Sequence, residues 1–209
     1  MRESYLRHLE TLHTELVRMG ALCEEAIGNA VKGLLEDDGT ARAQAIELED
    51  RINQKEREIE SFCVKLLLLE QPVAGDLRRV TAALKMITDM ERIGDQAADI
   101  AEISAFMADS PVKRDVHIED MTAAATKMLT DSVDSFVEDD IEKALGVIAD
   151  DDIVDGLFDR IRGELIGVIM DDGSKGRACL DILMIAKYLE RIGDHAENIA
   201  ESVVYSING

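Results

Sequence analysis

One segment of nineteen residues occurs twice in this chain, and this repetition constrains the fold more than any other feature. Leu84–Glu102 and Leu183–Glu201 lie ninety-nine positions apart, and both contain the pentad Glu-Arg-Ile-Gly-Asp, at 91–95 and at 190–194. Five consecutive identities at matching positions of two chain halves are very improbable by chance. The chain is therefore interpreted as a tandem duplication in which each copy ends with this segment.

The repeated segment has the periodicity of an α-helix with one apolar face. At about 100° per residue, Met86, Ile93 and Ile100 fall on one side of the first copy, and acidic residues gather on a second side. Gly94 and Gly193 occupy equivalent positions inside the two helices, where glycine costs about 1 kcal/mol relative to alanine. This repeated cost predicts either a closely packed neighbouring helix or a ligand at that position.

The composition favours a helical core. Of the 209 residues, 46% are hydrophobic but only 3% are aromatic, so Leu, Ile, Val, Met and Ala must fill the interior. These residues favour helices over sheets, and no segment alternates like a strand. The periodicity predicts six long helices with these approximate bounds: Tyr5–Leu35, Ala41–Leu69, 77–107, Ile118–Val137, Ile141–Met170 and Arg177–Ile207.

The two halves align at an offset of 102 residues over the first two helices and of 99 residues over the third. The predicted fold class is therefore all-α, with two tandem three-helix bundles. The bundles are expected at residues 1–109 and 112–209, divided at a turn that contains Pro111.

Polar residues at the turns predict how two of the helices begin. Thr40 follows a turn and is expected to cap the second helix. Asp139, with Glu142 three residues later, is expected to form a capping box at the start of the fifth helix.

The net charge of the chain is −21, from 23 basic and 44 acidic residues. Binding to a nucleic-acid backbone requires clustered Lys and Arg, and an anionic bilayer would repel this chain. The charge therefore predicts no nucleic-acid partner and no direct lipid binding. An acidic surface can simply keep a protein soluble, or it can concentrate cations, and only the arrangement of the carboxylates distinguishes these roles.

Other features predict a cytoplasmic protein. The sequence contains no apolar stretch long enough to span a membrane, and no signal-peptide pattern opens it. Cys23, Cys63 and Cys179 are widely separated and odd in number. This arrangement indicates small core residues in a reducing compartment and not a disulfide or zinc framework.

Pairs of oxygen-bearing side chains four residues apart recur at related positions of the two halves. They are Glu49/Asn53, Glu91/Asp95, Asp151/Asp155 and Glu190/Asp194. The second and third helices of each bundle are joined by a short turn and must run antiparallel, so their pairs can face each other. Carboxylates so close together repel, and multivalent cations would relieve the repulsion. Oxygen ligands suit Mg²⁺, Ca²⁺, Mn²⁺ and ferric iron.

An isolated acidic pair is usually only the solvated face of a helix, and that reading stays open for each pair taken alone. Repetition of the whole set, with a glycine beside it in each half, favours a metal site. His195 directly follows Asp194 and could contribute to such a site, but it is interpreted as a partly exposed structural histidine. Arg92 and Arg191 could bind an anion, but they are interpreted as partners of neighbouring carboxylates on their own helices.

The sequence lacks the common catalytic motifs, including a nucleophile elbow, a phosphate loop and His-Glu-x-x-His. Glu10-x-x-His13 is its only Glu-x-x-His, whereas a ferritin-like di-iron core requires two. We therefore expect a protein that is not an enzyme. A carboxylate-rich metalloenzyme, such as a phosphohydrolase or an oxidase, is one alternative, and a cation-binding structural protein is another.

Two tandem three-helix repeats that each end in Glu-Arg-Ile-Gly-Asp-x-Ala-x-Asn/Asp-Ile-Ala-Glu resemble the PhoU family of phosphate-uptake regulators. The turn at 71–78, Gln-Pro-Val-Ala-Gly-Asp-Leu-Arg, is similar to that family's lead-in to the third helix. The resemblance covers nearly the whole chain.

The resemblance implies a cytoplasmic accessory of the high-affinity phosphate ABC transporter that has no catalytic activity. Such a protein restrains phosphate uptake and represses the phosphate-starvation response together with a membrane sensor histidine kinase. The resemblance also implies a homodimer, held at the inner face of the membrane through its protein partners.

The resemblance further implies multinuclear iron or zinc clusters held by Glu/Asp-x-x-x-Asp motifs on the bundle surface. These motifs carry over to Glu91, Asp95, Asp151, Asp155, Glu190 and Asp194. Asn53 stands where the family has aspartate, so Glu49 is the only carboxylate of its motif and weaker metal binding is expected there. Asn198 in the second copy fits the family pattern, whereas the first copy has an acidic variant, Asp99, at the equivalent position. The second copy also lacks the proline-containing turn and has residues 173–176 in its place.

Overall fold

The computed structural model describes residues 2–107, 110–114 and 116–209, and this part of the chain contains six long α-helices. In chain order they are α1 (Arg2–Leu35), α2 (Gly39–Glu70), α3 (Gly75–Ser104), α4 (Ile118–Glu138), α5 (Ile141–Asp171) and α6 (Gly176–Asn208). Short 3-10 turns are found at Ala105–Met107, Pro111–Arg114 and Gly173–Lys175. None of the described residues belongs to a β-strand. The predicted all-α fold is confirmed, and each helix lies within a few residues of its predicted bounds.

Asp38 caps the N-terminus of α2, so the prediction of Thr40 as the cap is wrong. Oδ1 of Asp38 accepts hydrogen bonds from the backbone N–H groups of Thr40, at 2.9 Å, and Ala41, at 3.1 Å. A carboxylate here satisfies two free N–H groups and is favoured by the positive end of the helix dipole. Thr40 already lies inside the helix, which begins at Gly39.

An aspartate also caps the N-terminus of α5, but it is Asp140, so the predicted capping box of Asp139 and Glu142 is wrong. Asp139 ends α4 in a left-handed conformation, with φ of 56°. Asp140 then caps α5 by accepting a hydrogen bond of 3.0 Å from the backbone N–H of Lys143. Asp37, the residue equivalent to Asp139, is also left-handed, with φ of 57°. In both repeats the first aspartate turns the chain and the second caps the next helix.

The helices pack as two three-helix units that meet through their inner helices. Helix α2 packs on α1 and α3, whereas α5 packs on α4 and α6. The units contact each other along α3–α6 and α1–α4. Helices α3 and α6 run antiparallel, because Asp89 pairs with His195 while Asp99, later in α3, faces Arg191, earlier in α6. Helices α2 and α5 lie on the two flanks.

Buried apolar side chains of both units form one continuous core. Ile93 of α3 and Ile192 of α6, the isoleucines of the repeated pentad, are completely buried. Leu16 of α1 and Leu129 of α4 are also completely buried. Burial of each such side chain contributes about 1.5–3 kcal/mol to the stability of the fold.

The division of the chain into residues 1–109 and 112–209 stays a prediction. Met1 and Asp109, which are boundary residues of that division, lie outside the described residues.

Candidate functional site

The first acidic surface lies along the seam between α2 and α3. Under this name we group Glu49, Asn53, Glu91, Asp95, Asp99 and Glu102. Glu49 faces Asp95 and Glu102 across the seam. Glu91 faces Glu49 and Glu56. The carboxylates of the two antiparallel helices therefore gather in one locality.

Burial and mutual repulsion both raise the pKa values of these groups. The pKa of Glu49 is raised by burial and then by the charge of Asp95. Burial and Asp95 also raise the pKa of Glu91, and burial and Glu102 raise that of Asp99. A cleft of about 300 Å³ at the seam is lined by Glu49, Asp95, Gln96, Ala98, Asp99 and Glu102. The negative charge of this cleft is electrostatically unfavourable in the absence of a counter-charge.

The second acidic surface lies at the equivalent seam between α5 and α6. It consists of Asp151, Asp155, Glu190, Asp194 and Glu197. Burial raises the pKa of Asp151 from 3.8 to about 6, assisted by the charges of Glu197, Asp155 and Asp194. The pKa of Asp194 is raised by burial and by Glu190. All four residues predicted in this half therefore lie within one electrostatically coupled group.

The two surfaces differ at the α2 and α5 sides of the seams. Nδ2 of Asn53 donates a hydrogen bond of 3.3 Å to Oε1 of Glu49. The equivalent of Asn53 in the second surface is Asp155, a carboxylate. Oδ1 of Asn53 and Oδ1 of Asp151 are both buried, and neither has a hydrogen-bond partner among the described residues. Each surface thus contains one buried oxygen that is available to a ligand.

Gly94 and Gly193 allow the neighbouring helices of each unit to approach closely. A Cβ atom on Gly94 would lie 3.0 Å from Cδ1 of Ile52 in α2. A Cβ atom on Gly193 would lie 3.2 Å from Cγ1 of Val154 and 3.5 Å from Oδ1 of Asp151 in α5. Of the two explanations that the sequence left open for these glycines, close helix packing is therefore the one that the structure supports.

Arg92 makes the intrahelical contacts predicted for it. Its Nη1 donates a hydrogen bond of 3.1 Å to Oδ2 of Asp95, and its Nε lies 3.4 Å from Oε2 of Glu91. Arg191, at the equivalent position of α6, instead faces Asp99 of α3. The repeated arginines thus differ: one interacts within its own helix and the other connects the two units.

His195 contributes to the contact between the two units. Its Nδ1 lies 2.9 Å from Oδ1 of Asp89, and both side chains are 19% exposed. Nδ2 of Asn198 donates to the same oxygen at 3.4 Å. This arrangement agrees with the structural role that the sequence predicts for His195.

The donor atoms suit a hard cation, but they are not arranged as a preformed coordination shell. Within the part of the chain that the structure describes, no group of three or more His, Cys, Asp or Glu side chains is placed to hold one metal ion. Carboxylate oxygens are nevertheless the ligands that Mg²⁺, Ca²⁺ and Mn²⁺ prefer, and Oδ1 of Asp151 lacks a described partner. A cation would have to draw the carboxylates of two helices closer together.

Three acidic residues of these surfaces lie outside the predicted set of site residues. Asp99 and Glu102 follow Asp95 by four and seven residues, and Glu197 follows Asp194 by three. Residues separated by three, four or seven positions lie on nearly the same face of a helix. The helical period of 3.6 residues is therefore the sequence signal that identifies these three acidic residues.

The fold and these surfaces define a class of protein. It is all-α, with two tandem three-helix repeats, and each repeat has an acidic surface at the seam between its second and third helices. The family model of the PhoU domain matches the chain twice, at residues 16–104 and 118–203. Each match covers one repeat, and the chain belongs to the PhoU family.

Relatives of similar length extend this result. A protein of Clostridium acetobutylicum, named phosphate-specific transport system accessory protein PhoU homolog, is 37% identical over 210 residues. That alignment covers 100% of this chain and 96% of the relative. A protein of the same name from Pseudomonas aeruginosa is 35% identical, over 99% of this chain and 86% of the relative.

Two solved structures have the same fold. The crystal structure of PhoU from Pseudomonas aeruginosa superposes with a TM-score of 0.90 at 34% identity, covering 98% of this chain and 99% of the other. The phosphate transport system regulatory protein PhoU from Streptococcus pneumoniae gives 0.88 at 28% identity, covering 98% and 97%. The similarity therefore includes both repeats.

None of the described helices combines the length and the apolar character that crossing a bilayer requires.

Proposed function

We propose that this protein regulates phosphate uptake as a cytoplasmic accessory of a phosphate-specific ABC transporter. The observation that carries the proposal is similarity along the whole chain to proteins named as accessories of the phosphate-specific transport system. The second partner is a membrane sensor histidine kinase, through which the protein represses the phosphate-starvation response. The protein acts as a homodimer at the inner face of the membrane, where its partners hold it.

The two acidic surfaces hold multivalent cations in this proposal. Carboxylates that face one another across two seams support it, since burial and mutual repulsion raise their pKa values. The family resemblance favours multinuclear iron or zinc, and the oxygen donors also suit Mg²⁺ and Mn²⁺. A bound cation would neutralise each surface and fix the positions of its carboxylates. The surface would then be ordered enough to dock a partner protein.

The proposed role is that of an adaptor and not of an enzyme. Relatives that match over the whole chain are named accessory or regulatory proteins. An adaptor needs an ordered surface, whereas a metal-dependent hydrolase needs a positioned nucleophile and an open coordination site. Hydrolysis of phosphoesters with Mn²⁺ or Fe²⁺ that is abolished by Asp95→Ala would contradict the adaptor role.

Deletion of the gene tests the regulatory role. In phosphate-rich medium, deletion is expected to switch on a reporter of the phosphate-starvation response, and the intact gene is expected to restore repression. Phosphate uptake measured in the same strains should rise on deletion. An unchanged reporter together with unchanged uptake would refute the regulatory role.

Elemental analysis of protein purified without a histidine tag tests the cation proposal. We expect bound metal in the wild type and a loss of metal in Glu91→Ala/Glu190→Ala. Glu47→Ala/Glu60→Ala removes two exposed carboxylates of α2 outside the acidic surfaces and serves as the matched control. Equal metal content in all three proteins, or background levels in all, would refute cation binding at these surfaces and leave the regulatory role untouched.

A further inference from the structure

One end of the first acidic surface contains a buried amide that no described side chain satisfies. The cleft of about 300 Å³ between α2 and α3, here called the Gln96 cleft, is lined by Glu49, Asp95, Gln96, Ala98, Asp99 and Glu102. Gln96 is only 5% exposed, and its Oε1 has no hydrogen-bond partner among the described residues. Because an unpaired buried acceptor is unfavourable, Gln96 indicates a ligand that donates hydrogen bonds into the cleft.

The second repeat does not reproduce this cleft. The α6 residues at the positions of Gln96, Ala98 and Asp99 are His195, Glu197 and Asn198. His195 has a partner, since its Nδ1 lies 2.9 Å from Oδ1 of Asp89. The Gln96 cleft therefore combines a free amide, an apolar residue and an additional carboxylate where α6 has other side chains. Its ligand can differ from that of the second acidic surface.

The carboxylates of the cleft are spread along α3. Asp99 and Glu102 follow Asp95 by four and seven residues, which is about 6 Å and 10 Å along the helix axis. In the part of the chain that the structure describes, no three His, Cys, Asp or Glu side chains are placed to hold one metal ion. The cleft is also much larger than a single ion requires. This distribution suits an elongated ligand whose positive charges are separated from one another.

Ala98 provides an apolar strip between the acids. It lies three residues after Asp95 and four before Glu102, on the same face of α3. A linear aliphatic polyamine consists of ammonium groups joined by methylene chains. In a four-carbon diamine, five bonds separate the two nitrogens, which are about 6 Å apart when the chain is extended. This separation matches the rise from Asp95 to Asp99, with the methylene chain lying over Ala98.

The charge of the cleft stays negative after its arginines are counted. Nη1 of Arg92 donates to Asp95 at 3.1 Å, and Arg191 of α6 faces Asp99. Four carboxylates line the cleft, so two formal negative charges remain. An ammonium group has three N–H donors and no acceptor, and it can therefore satisfy carboxylate oxygens and Oε1 of Gln96 together.

We propose that the Gln96 cleft binds a linear aliphatic polyamine, with its ammonium groups on the carboxylates and one N–H donated to Oε1 of Gln96. This assignment rests on the cation binding proposed above for the first acidic surface, and it specifies an organic ligand class for one end of that surface. Glu49 belongs to α2 and the other lining residues belong to α3, so an occupied cleft connects the two helices.

Isothermal titration calorimetry with spermidine tests the assignment on the full chain, stripped of metal and dialysed. The wild type is expected to bind butylamine, which has a single ammonium group, at least about tenfold more weakly than spermidine. Asp99→Asn/Glu102→Gln should weaken spermidine binding at least about tenfold. The matched control, Glu47→Gln/Glu60→Gln, makes the same change in net charge at exposed positions of α2 and should keep the wild-type affinity.

Gln96→Leu tests the amide without a change in charge. It should weaken spermidine binding about five- to tenfold, because it removes an acceptor from a charged donor. Circular dichroism and thermal unfolding verify that each variant is folded.

Four results would overturn the assignment. The first is spermidine binding no tighter than that of butylamine, and the second is an equal loss of affinity in the α2 control. The third is an unchanged affinity in Gln96→Leu. The fourth is Mn²⁺ that binds the metal-free chain and prevents spermidine from binding, which would identify the cleft as a metal site. None of these results alters the starvation reporter or the metal content of Glu91→Ala/Glu190→Ala, so a failure here is distinguishable from a failure of the proposed function.

Discussion

Asp151 shows how an acidic surface opposes the folded state of its own chain. Its pKa is raised to about 6 by burial and by neighbouring carboxylates, whereas its ordinary value is 3.8. Between these pH values the folded state binds more protons than the unfolded chain, so the stability falls as the pH rises from 3.8 to about 6. Above that range the full electrostatic cost is present. A cation that binds the ionised group would offset this cost.

Replacement of the Asp151 carboxylate by a neutral amide should therefore stabilise the metal-free protein. Asp151→Asn is expected to raise the free energy of unfolding at neutral pH by about 1 kcal/mol, after allowance for screening by solvent at a partly exposed site. Below pH 3.8 the two proteins should be equally stable, because both forms of residue 151 are then uncharged. Urea denaturation in the presence of a chelator measures the difference. Equal stability at neutral pH would contradict this explanation.

The contribution of His13 to the stability of the fold depends on pH in the opposite sense to that of Asp151. Its ring lies 5.6 Å from that of Phe136 at the contact between α1 and α4, and burial lowers its pKa below 6.5. The unfolded chain therefore binds a proton more readily than the folded one, and this contribution to stability is lost as the pH falls through 6.5. His13→Leu should reduce the drop in melting temperature between about pH 7.5 and pH 5.5. An unchanged drop would show that His13 is not responsible for it.

At the scale of the helix, periodicity predicts the six elements but not their ends. Each Asp-Asp turn offers two adjacent carboxylates to the next helix, and the side chain that caps depends on the backbone angles of the turn. The first aspartate adopts the left-handed conformation in both turns, so the second is left to cap. Sequence spacing alone does not distinguish these two neighbours.

The glycines provide a test at the same scale. Gly94→Ala should lower the free energy of unfolding by about 1 kcal/mol or more, because the new methyl group would lie 3.0 Å from a fully buried Ile52. Gly28→Ala in α1 should raise it by about 0.5–1 kcal/mol, since position 28 is exposed and no described atom lies within 4 Å of the added carbon. Thermal and chemical unfolding of both variants checks the prediction. Two shifts of the same sign would contradict it.

At the scale of the whole molecule, the two units share one core. Helices α3 and α6 pack against each other along the contact between the units, and the core contains buried residues of all six helices. A fragment of residues 2–107 would expose the side of α3 that α6 covers, including apolar side chains that are now buried. Stability that depends on this shared core cannot be divided between the two repeats.

Calorimetry of the full chain and of the fragment tests this view. The full chain is expected to unfold in one cooperative transition, whereas the fragment should lack a sharp transition or should aggregate. Addition of the second half, residues 111–209, should restore cooperative unfolding. A fragment with a sharp transition of its own would instead support two independent domains at the predicted boundaries.

The amino-acid sequence by itself determined the helical fold and its duplication, and the eight site positions that it indicates stay a prediction. These features can be read from the spacing of residues along each helix or from direct comparison of the two halves. Only the tertiary structure decided which side chains face each other across a seam and why Gly94 is needed. The physical reason is that the side of a helix that becomes covered depends on helices distant in the chain. Periodicity within one helix specifies its faces but not its neighbours.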